Sequence, residues 1–458
     1  MPVVVVSNRG PVSFAKGEDG SLITRKAGGG LASSLAPAVA GTGALWIAGA
    51  MSDADREAAA REVESDGFRL QLLALDAADY RMYYDVVSSG ALWYVYHNLY
   101  DTPRRPRFDR HWREAWAAYR RVNQAFADRT ADLAPEGATV LVHDFHLSLV
   151  GARLAQRRPD LQTAWFSHTP FCEPMGLRTL PDAVAEELIS GLAGFGACGF
   201  HTSRWAKAFE ACCDEVLGEA PPTFVSPAAA DAEDLAAVAA REACSRELSE
   251  LESVVGDRKL IVRVDRIELS KNILRGFLAF EDLLEHAPQW RERVVFAAFV
   301  YPSREGLADY LAYRQEVEGL VERINQKWAT PGWTPIVIDG ADNFPRSVAG
   351  LRRYDVLLVN PVRDGLNLVA KEGALVNERD GVLALSREAG AWEEIGDHAL
   401  AVNPFDVAGT GEVLAAALEM PEQERSVRAA GLRKAVLSRT PNDWFADQLA
   451  AARTPRAS

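Results

Sequence analysis

The feature that most constrains this chain is a pattern repeated along its length. A short apolar run is bounded by a polar turn, and a helix-like segment follows. VVVVS at 3–7, TVLVH at 139–143 and VLLV at 356–359 are examples. A short β-branched run that ends at a turn is the form of a strand buried on both faces. Such runs alternating with helices specify doubly wound α/β domains with parallel sheets. The expected strands are 3–7, 139–143, 164–167, 260–264, 294–299, 336–338, 356–359 and 381–385. Helices are expected at 110–128, 147–156, 305–326, 368–376 and 407–419. At 458 residues two or three domains are expected. The Ala- and charge-rich segment between 226 and 259 marks the boundary. This gives an N-terminal Rossmann-like domain over 1–235, a second over 236–440, and a C-terminal helix and tail over 441–458 that returns to the first domain. The two halves are expected to face each other across a cleft.

Composition narrows the function classes. The net charge of −14 disfavours nucleic acid as a partner, because binding it needs a basic face. No apolar stretch reaches the ~20 residues of a membrane span, so no membrane partner is expected. MPVVVVSNRG reads as a first strand, not a leader. The five cysteines are odd in number and form no CxxC pair. That argues against structural disulfides and a zinc site, and for a reducing, cytoplasmic setting.

In open α/β sheets ligands bind beyond the carboxyl ends of the strands. Those ends carry Asn8-Arg9, His143-Asp144, His168, Asp265-Arg266 with Lys271, Arg304, and Arg363-Asp364. Cations on several such loops suggest a polyanion site: arginine offers a planar fork to phosphate and lysine a point charge. Asp364, Gly365 and Asn367 precede a helix whose first N–H groups can face a diphosphate. Glu372 can hydrogen-bond ribose hydroxyls, and Asp144 and His168 can hydrogen-bond sugar hydroxyls.

Each feature also has a plainer reading. Arg304 can be a solvated charge, His168 a structural histidine, Asp144 a helix cap, Lys271-Asn272 a helix start and Glu372 a surface charge. The aromatic run 80–101 can be core packing. Asp53-Ala54-Asp55 spells a metal-binding DxD, but it opens a charged helix and reads as N-terminal capping. The basic run 102–121 reads as a solvated helix face. Gly28-Gly29-Gly30 is neither a Walker loop nor a GxGxxG, though it could let the backbone approach a ligand.

Taken together and in order, the segments VVVVSNRGPV, RKAGGGLASSL, MYYDVVSSGALWYVYH, LVHDFHLSLV, FSHTPF, RVDRIELSKNILRGFLAFEDLL, PSREGLADYLAYRQEVEGLVERIN, RDGLNLVAKE and LSREAGAWEEIG resemble the trehalose-6-phosphate synthase family over nearly the whole chain. The resemblance implies the GT-B fold and a retaining glycosyltransferase. Glucose would pass from UDP-glucose or GDP-glucose to glucose 6-phosphate, with no cofactor and no metal. It implies that Arg9 and Arg304 hold the acceptor phosphate, with Tyr84 and Trp93 beside them and Asp144 on the acceptor sugar. His168 would contact donor glucose near its reacting carbon. Arg266 and Lys271 would bind the donor diphosphate, Asp364 the donor glucose, and Glu372 the ribose. Gly30, Gly365, Leu366, Asn367 and Leu368 would supply close backbone or side-chain donors. The partners implied are a sugar nucleotide and a sugar phosphate, and a homo-oligomer is compatible.

The sequence departs from the family pattern at Phe145, Cys172, 226–231, Glu268 and 360–367. These departures leave the donor base open, with 299–301 and 340–344 as the base-facing stretches. A transferase with a different phosphorylated acceptor and a non-catalytic sugar-phosphate sensor are the alternatives. Retention of Arg266, Lys271, Asp364 and Glu372 speaks against the sensor.

Overall fold

The computed structural model describes residues 2–17, 19–26, 30–65 and 67–454. Two compact units emerge. The first comprises residues 1–228 with 441–458, and the second residues 229–440.

The first unit contains the strands β1 (Val3–Ser7), β2 (Val12–Lys16), β3 (Leu22–Lys26), β4 (Leu45–Gly49), β5 (Val63–Ser65), β6 (Phe68–Leu73), β7 (Thr139–His143), β8 (Gln162–Phe166), β9 (Ala197–Phe200) and β10 (Thr223–Val225). Its sheet runs β10-β9-β8-β7-β1-β4-β6-β5, while β2 and β3 form a separate antiparallel hairpin. All its pairings are parallel except β5 with β6. Val4, Val5 and Val6 are fully buried, as a strand covered on both faces requires. The C-terminal helix Pro441–Arg453 packs on β7, β8 and β9.

The second unit contains β11 (Lys259–Ile267), β12 (Val294–Pro302), β13 (Ile336–Asp339), β14 (Val356–Val359), β15 (Val382–Ser386) and β16 (Leu400–Val402). Its sheet is wholly parallel in the order β13-β12-β11-β14-β15-β16. The strand order reverses beside β11, between β12 and β14, which is where such sheets open a ligand crevice.

The alternation read from the sequence is therefore the fold of both units. Several boundaries differ. The units divide at 228/229 rather than 235/236, because the helix Ala232–Ala239 packs on the second unit's helices Phe344–Arg353 and Leu368–Val376. The helix expected from 305 starts at Ala308, after Arg304 takes φ 49°. The segment 147–156 splits into a 3-10 turn, Phe145–Leu147, and a helix, Val150–Arg157. The strands expected at 260–264 and 294–299 run on to Ile267 and Pro302, pairing with each other to their ends. All five cysteines are buried and reduced. No helix among the described residues is long and apolar enough to cross a membrane.

Candidate active site

In the first unit the carboxyl ends of β1, β7 and β8 carry the predicted residues, and an aromatic column joins them. Asn8, just past β1, donates to the Tyr80 hydroxyl at 3.2 Å and accepts from the Tyr83 hydroxyl at 3.0 Å. Tyr80 stacks on Tyr84, with centroids 5.8 Å apart, and Tyr84 stacks on His146 at 5.7 Å. His146 Nδ1 lies 3.7 Å from Asp144 Oδ2. Arg9 is exposed beside Asn8. Trp93 is buried, stacked on His97 at 3.9 Å and tilted against Phe145. The aromatic run is thus largely core, as its plainer reading holds, with Tyr84 half-buried at the edge of the column.

Asp144 does not cap the turn that follows it. Its side chain makes no capping bond, and Oδ1 accepts from the His168 backbone N–H at 3.2 Å. Its φ of 72° and ψ of 167° lie in a region that is essentially glycine's alone. The cost is of order 1–3 kcal/mol, and such strain persists where the surrounding structure holds it, typically at functional sites. Asp144 is held by its N–H on the Phe166 carbonyl and by Trp165 Nε1 on its own carbonyl.

His168 Nε2 lies 3.1 Å from His143 Nδ1. Trp444, from the C-terminal helix, is fully buried against the rings of His143, Phe166, His168 and His201. Burial holds the His168 imidazole down at about 3. It lowers His143 well below the usual histidine range, with His168 adding to the effect. Both rings are neutral at neutral pH.

In the second unit, β11 runs into a 3-10 turn that ends at Lys271. Asn272 is left-handed, at φ 59° and ψ 41°, and opens the helix Ile273–His286. Lys271-Asn272 is thus a helix start, as its plainer reading held, but the lysine also reaches across to another loop. Its Nζ meets Asp364 Oδ2 at 2.5 Å. Burial disfavours the ammonium, yet Asp364, Asp265 and Glu268 outweigh it and raise its pKa. Asn367 Nδ2 also donates to Asp364 Oδ2, at 3.2 Å. The helix cap is Asn367, at φ 81°, whose Oδ1 accepts from the Ala370 N–H. It is not Asp364, which leaves that carboxylate to the lysine.

Gly365 and Leu366 form the loop between them. The Leu366 carbonyl accepts from the Ala391 N–H at 2.7 Å, and its side chain is buried. Leu368 opens the helix Leu368–Val376. One turn on, Glu372 is half-buried, and desolvation pushes its carboxyl up to about 7. Asn272 and Asn360 tie the two loops together through side-chain bonds to each other's carbonyls at 2.9 and 3.3 Å.

Arg304 is no solvated charge: its side chain is only 10% exposed. It donates to Glu268 and to the Tyr310 hydroxyl, both at 3.0 Å. Arg266 is on the same carboxylate, Nε to Oε1 at 3.0 Å. Of the stretches expected to face the base, Phe299 is a core residue against Gly350, where a Cβ would meet its ring at 2.4 Å. Tyr301 and Phe344 remain accessible.

Gly30 is the first residue of the helix Gly30–Val39, and its neighbours Gly28 and Gly29 lie outside the described residues. The Asp53–Asp55 pair caps its helix: the Ser52 side chain accepts from the Asp55 N–H, and the Asp55 carboxylate accepts from the Ser52 N–H. The basic run becomes the helix Arg110–Leu133, with Arg120 on Glu187 and Arg121 on Asp79. Sequence reasoning did not assign roles to His143, Glu268 or Trp444. A carboxylate between two basic residues at a strand end is a readable signal for Glu268. Nothing local marks Trp444, whose ring partners lie between residues 143 and 201.

The pattern of glycosyltransferase family 20 matches residues 2–454. Trehalose-6-phosphate synthase of Mycolicibacterium smegmatis is 32% identical over 98% of this chain and 92% of its own. Among solved structures, the E. coli trehalose-6-phosphate protein bound with UDP-2-fluoro glucose superposes at a TM-score of 0.87. It is 28% identical, with all of both chains covered. The Burkholderia xenovorans α,α-trehalose-phosphate synthase (UDP-forming) in complex with glucose-6-phosphate matches at 0.87 and 29% identity, over 99% of this chain and 100% of that one.

Proposed function

The chain belongs to glycosyltransferase family 20, and we propose that it is an α,α-trehalose-6-phosphate synthase moving glucose, with retention, from a nucleotide-glucose to glucose 6-phosphate. The observation that carries this reading is the Lys271–Asp364 pair. It joins a cation suited to a diphosphate and a carboxylate suited to sugar hydroxyls at the point where the strand order reverses. The relatives described as UDP-forming make UDP-glucose the first donor to test, with GDP-glucose second.

In the proposed reaction Arg266 and Lys271 meet the charge that grows on the departing diphosphate. Asp364 and His168 hold glucose hydroxyls, Glu372 the ribose, and Asp144 the acceptor sugar. Arg9 and Arg304 hold the acceptor phosphate, with Tyr84 and Trp93 beside them. Gly30 and the loop from Gly365 to Leu368 supply close donors. The acceptor hydroxyl attacks from the face the diphosphate leaves, and a leaving phosphate oxygen takes its proton. No protein nucleophile is required, so positioning and electrostatics carry the rate. Cationic side chains supply the charge that a metal ion would otherwise bring.

The test is nucleotide release with glucose 6-phosphate and UDP-, GDP-, ADP- or TDP-glucose, with and without a chelator, and product linkage determined. Chelator-resistant turnover with one donor supports the proposal. Binding of both ligands without turnover on any donor favours a sensor. A product other than α,α-trehalose 6-phosphate favours a different acceptor.

A further inference from the structure

We propose that Glu268 is a positioning residue, one buried carboxylate that sets both the donor-phosphate arginine, Arg266, and the acceptor-phosphate arginine, Arg304. This rests on the proposed function and deepens it by giving a role to a residue that touches neither substrate in that reading.

The strand register creates the arrangement. Arg266 pairs with Tyr301 and Ile267 with Pro302 at the ends of β11 and β12. Glu268 and Ser303 therefore leave the sheet side by side, with Arg304 next in line. A single oxygen, Glu268 Oε1, accepts from Arg304 Nη1 and from Ser303 Oγ and pairs with Arg266 Nε, each at 3.0 Å. The side chain is fully buried. Burial favours its neutral form, but Arg266, Arg304 and Lys271 outweigh burial and hold it at about 2, so it is an anion throughout the working range.

Two guanidiniums that meet one oxygen repel each other. One carboxylate between them removes that repulsion and leaves the group with net positive charge for an incoming phosphate. It also fixes which edge each arginine turns away from the carboxylate. Arg304 is pinned further by its positive φ of 49°, by the Tyr310 hydroxyl and by that ring, 5.4 Å from its guanidinium carbon.

A purely structural ion cluster explains less. Such a carboxylate is expected to engage both oxygens, whereas the contacts of Glu268 with both arginines and Ser303 all fall on one. Its second oxygen is buried with no hydrogen-bond partner, an arrangement that calls for an explanation. Control of where the two arginines sit supplies one.

The experiment is a kinetic comparison of Glu268→Gln, Glu268→Asp and Ser303→Ala with the parent enzyme, with KM for donor and for glucose 6-phosphate measured separately. A charge-assisted bond is worth about tenfold or more in affinity. Glu268→Gln is expected to raise both KM values by about that factor. Glu268→Asp, which keeps the charge, is expected to recover most of the loss. Ser303→Ala is expected to raise both KM values about two- to threefold, and it reads out the proposal if Glu268→Gln does not fold. A fall in kcat with both KM values unmoved is what a merely structural residue gives, and it overturns the proposal, as does a rise in only one KM. If the parent enzyme turns over no donor, the functional reading has failed. Calorimetry with inorganic pyrophosphate and with glucose 6-phosphate then decides: about tenfold weaker binding of both to Glu268→Gln supports the role, and unchanged affinity removes it.

Discussion

His143 Nδ1 lies 3.1 Å from His168 Nε2, and His143 Nε2 is buried without a hydrogen-bond partner. An orphaned N–H is costlier than an unused lone pair. The proton between the rings therefore belongs on His143 Nδ1, and His168 carries its own on Nδ1. That leaves the His168 Nδ1–H as a neutral donor, suited in the proposed reaction to an oxygen of bound sugar. Nitrogen-15 spectra of histidine-labelled protein are expected to show His168 neutral at pH 5 in the Nδ1–H form; an Nε2–H signal contradicts the assignment.

The same pair sets an acid limit on stability. His168 titrates near 3 in the folded state and His143 well below its usual value, against an ordinary 6.5. Between those values the unfolded chain binds more protons than the folded one, so stability falls as pH falls. It is complete above about 6.5 and declines toward 3. Denaturant titrations at pH 5 are expected to show uptake of close to one proton per histidine on unfolding. His168→Gln is expected to remove about one of them.

Lys271→Ala removes the ammonium that pairs with Asp364 and, in the proposed reaction, the point charge on the diphosphate. Loss of one such electrostatic group costs about 10²–10³ in turnover. The expected kcat/KM falls by that factor while the far-ultraviolet spectrum is unchanged. Lys271→Ala turning over at near the parent rate removes the lysine from the mechanism.

Glu372 gives a pH dependence of the opposite sign. Its folded value of about 7 lies above the ordinary 4.5. Its contribution to stability is therefore complete below 4.5 and is lost as pH rises through 7. If it accepts from the ribose as proposed, it should bind better once ionised, because a carboxylate accepts more strongly than a neutral acid. UDP-glucose affinity measured by calorimetry is expected to improve from pH 6 to pH 8. Glu372→Gln is expected to flatten that profile.

Gly390 packs against the backbone of Gly365 and Leu366. A Cβ there would stand 2.0 Å from the Gly365 carbonyl oxygen and 2.9 Å from Leu366 Cα, both backbone atoms. Gly390→Ala must therefore displace the loop carrying Asp364. Overpacking of this kind costs about 1–3 kcal/mol. A lower melting temperature together with a donor KM raised more than that for glucose 6-phosphate is expected; a KM change confined to glucose 6-phosphate contradicts the placement.

The sequence by itself determined the architecture and most of the site's composition. Val3–Ser7, Thr139–His143, Val356–Val359 and Leu368–Val376 were legible to the residue, because buried parallel strands and the helices between them impose periodicities that local composition must satisfy. In doubly wound sheets the strand ends are where ligands bind, so reading those ends singled out Arg266, Lys271 and Asp364 as candidates. Tertiary structure decided what local composition does not encode. It gave the cap to Asn367 and left Asp364 to Lys271, 93 residues away. It put Arg304 and Arg266 on one carboxylate through the register of β11 and β12, and forced Asp144 into a glycine-like backbone. It also seated Trp444 over the histidine pair. Hydrogen-bond partners and close approaches of this kind depend on register and packing between distant segments, and no period or propensity within a segment carries that information.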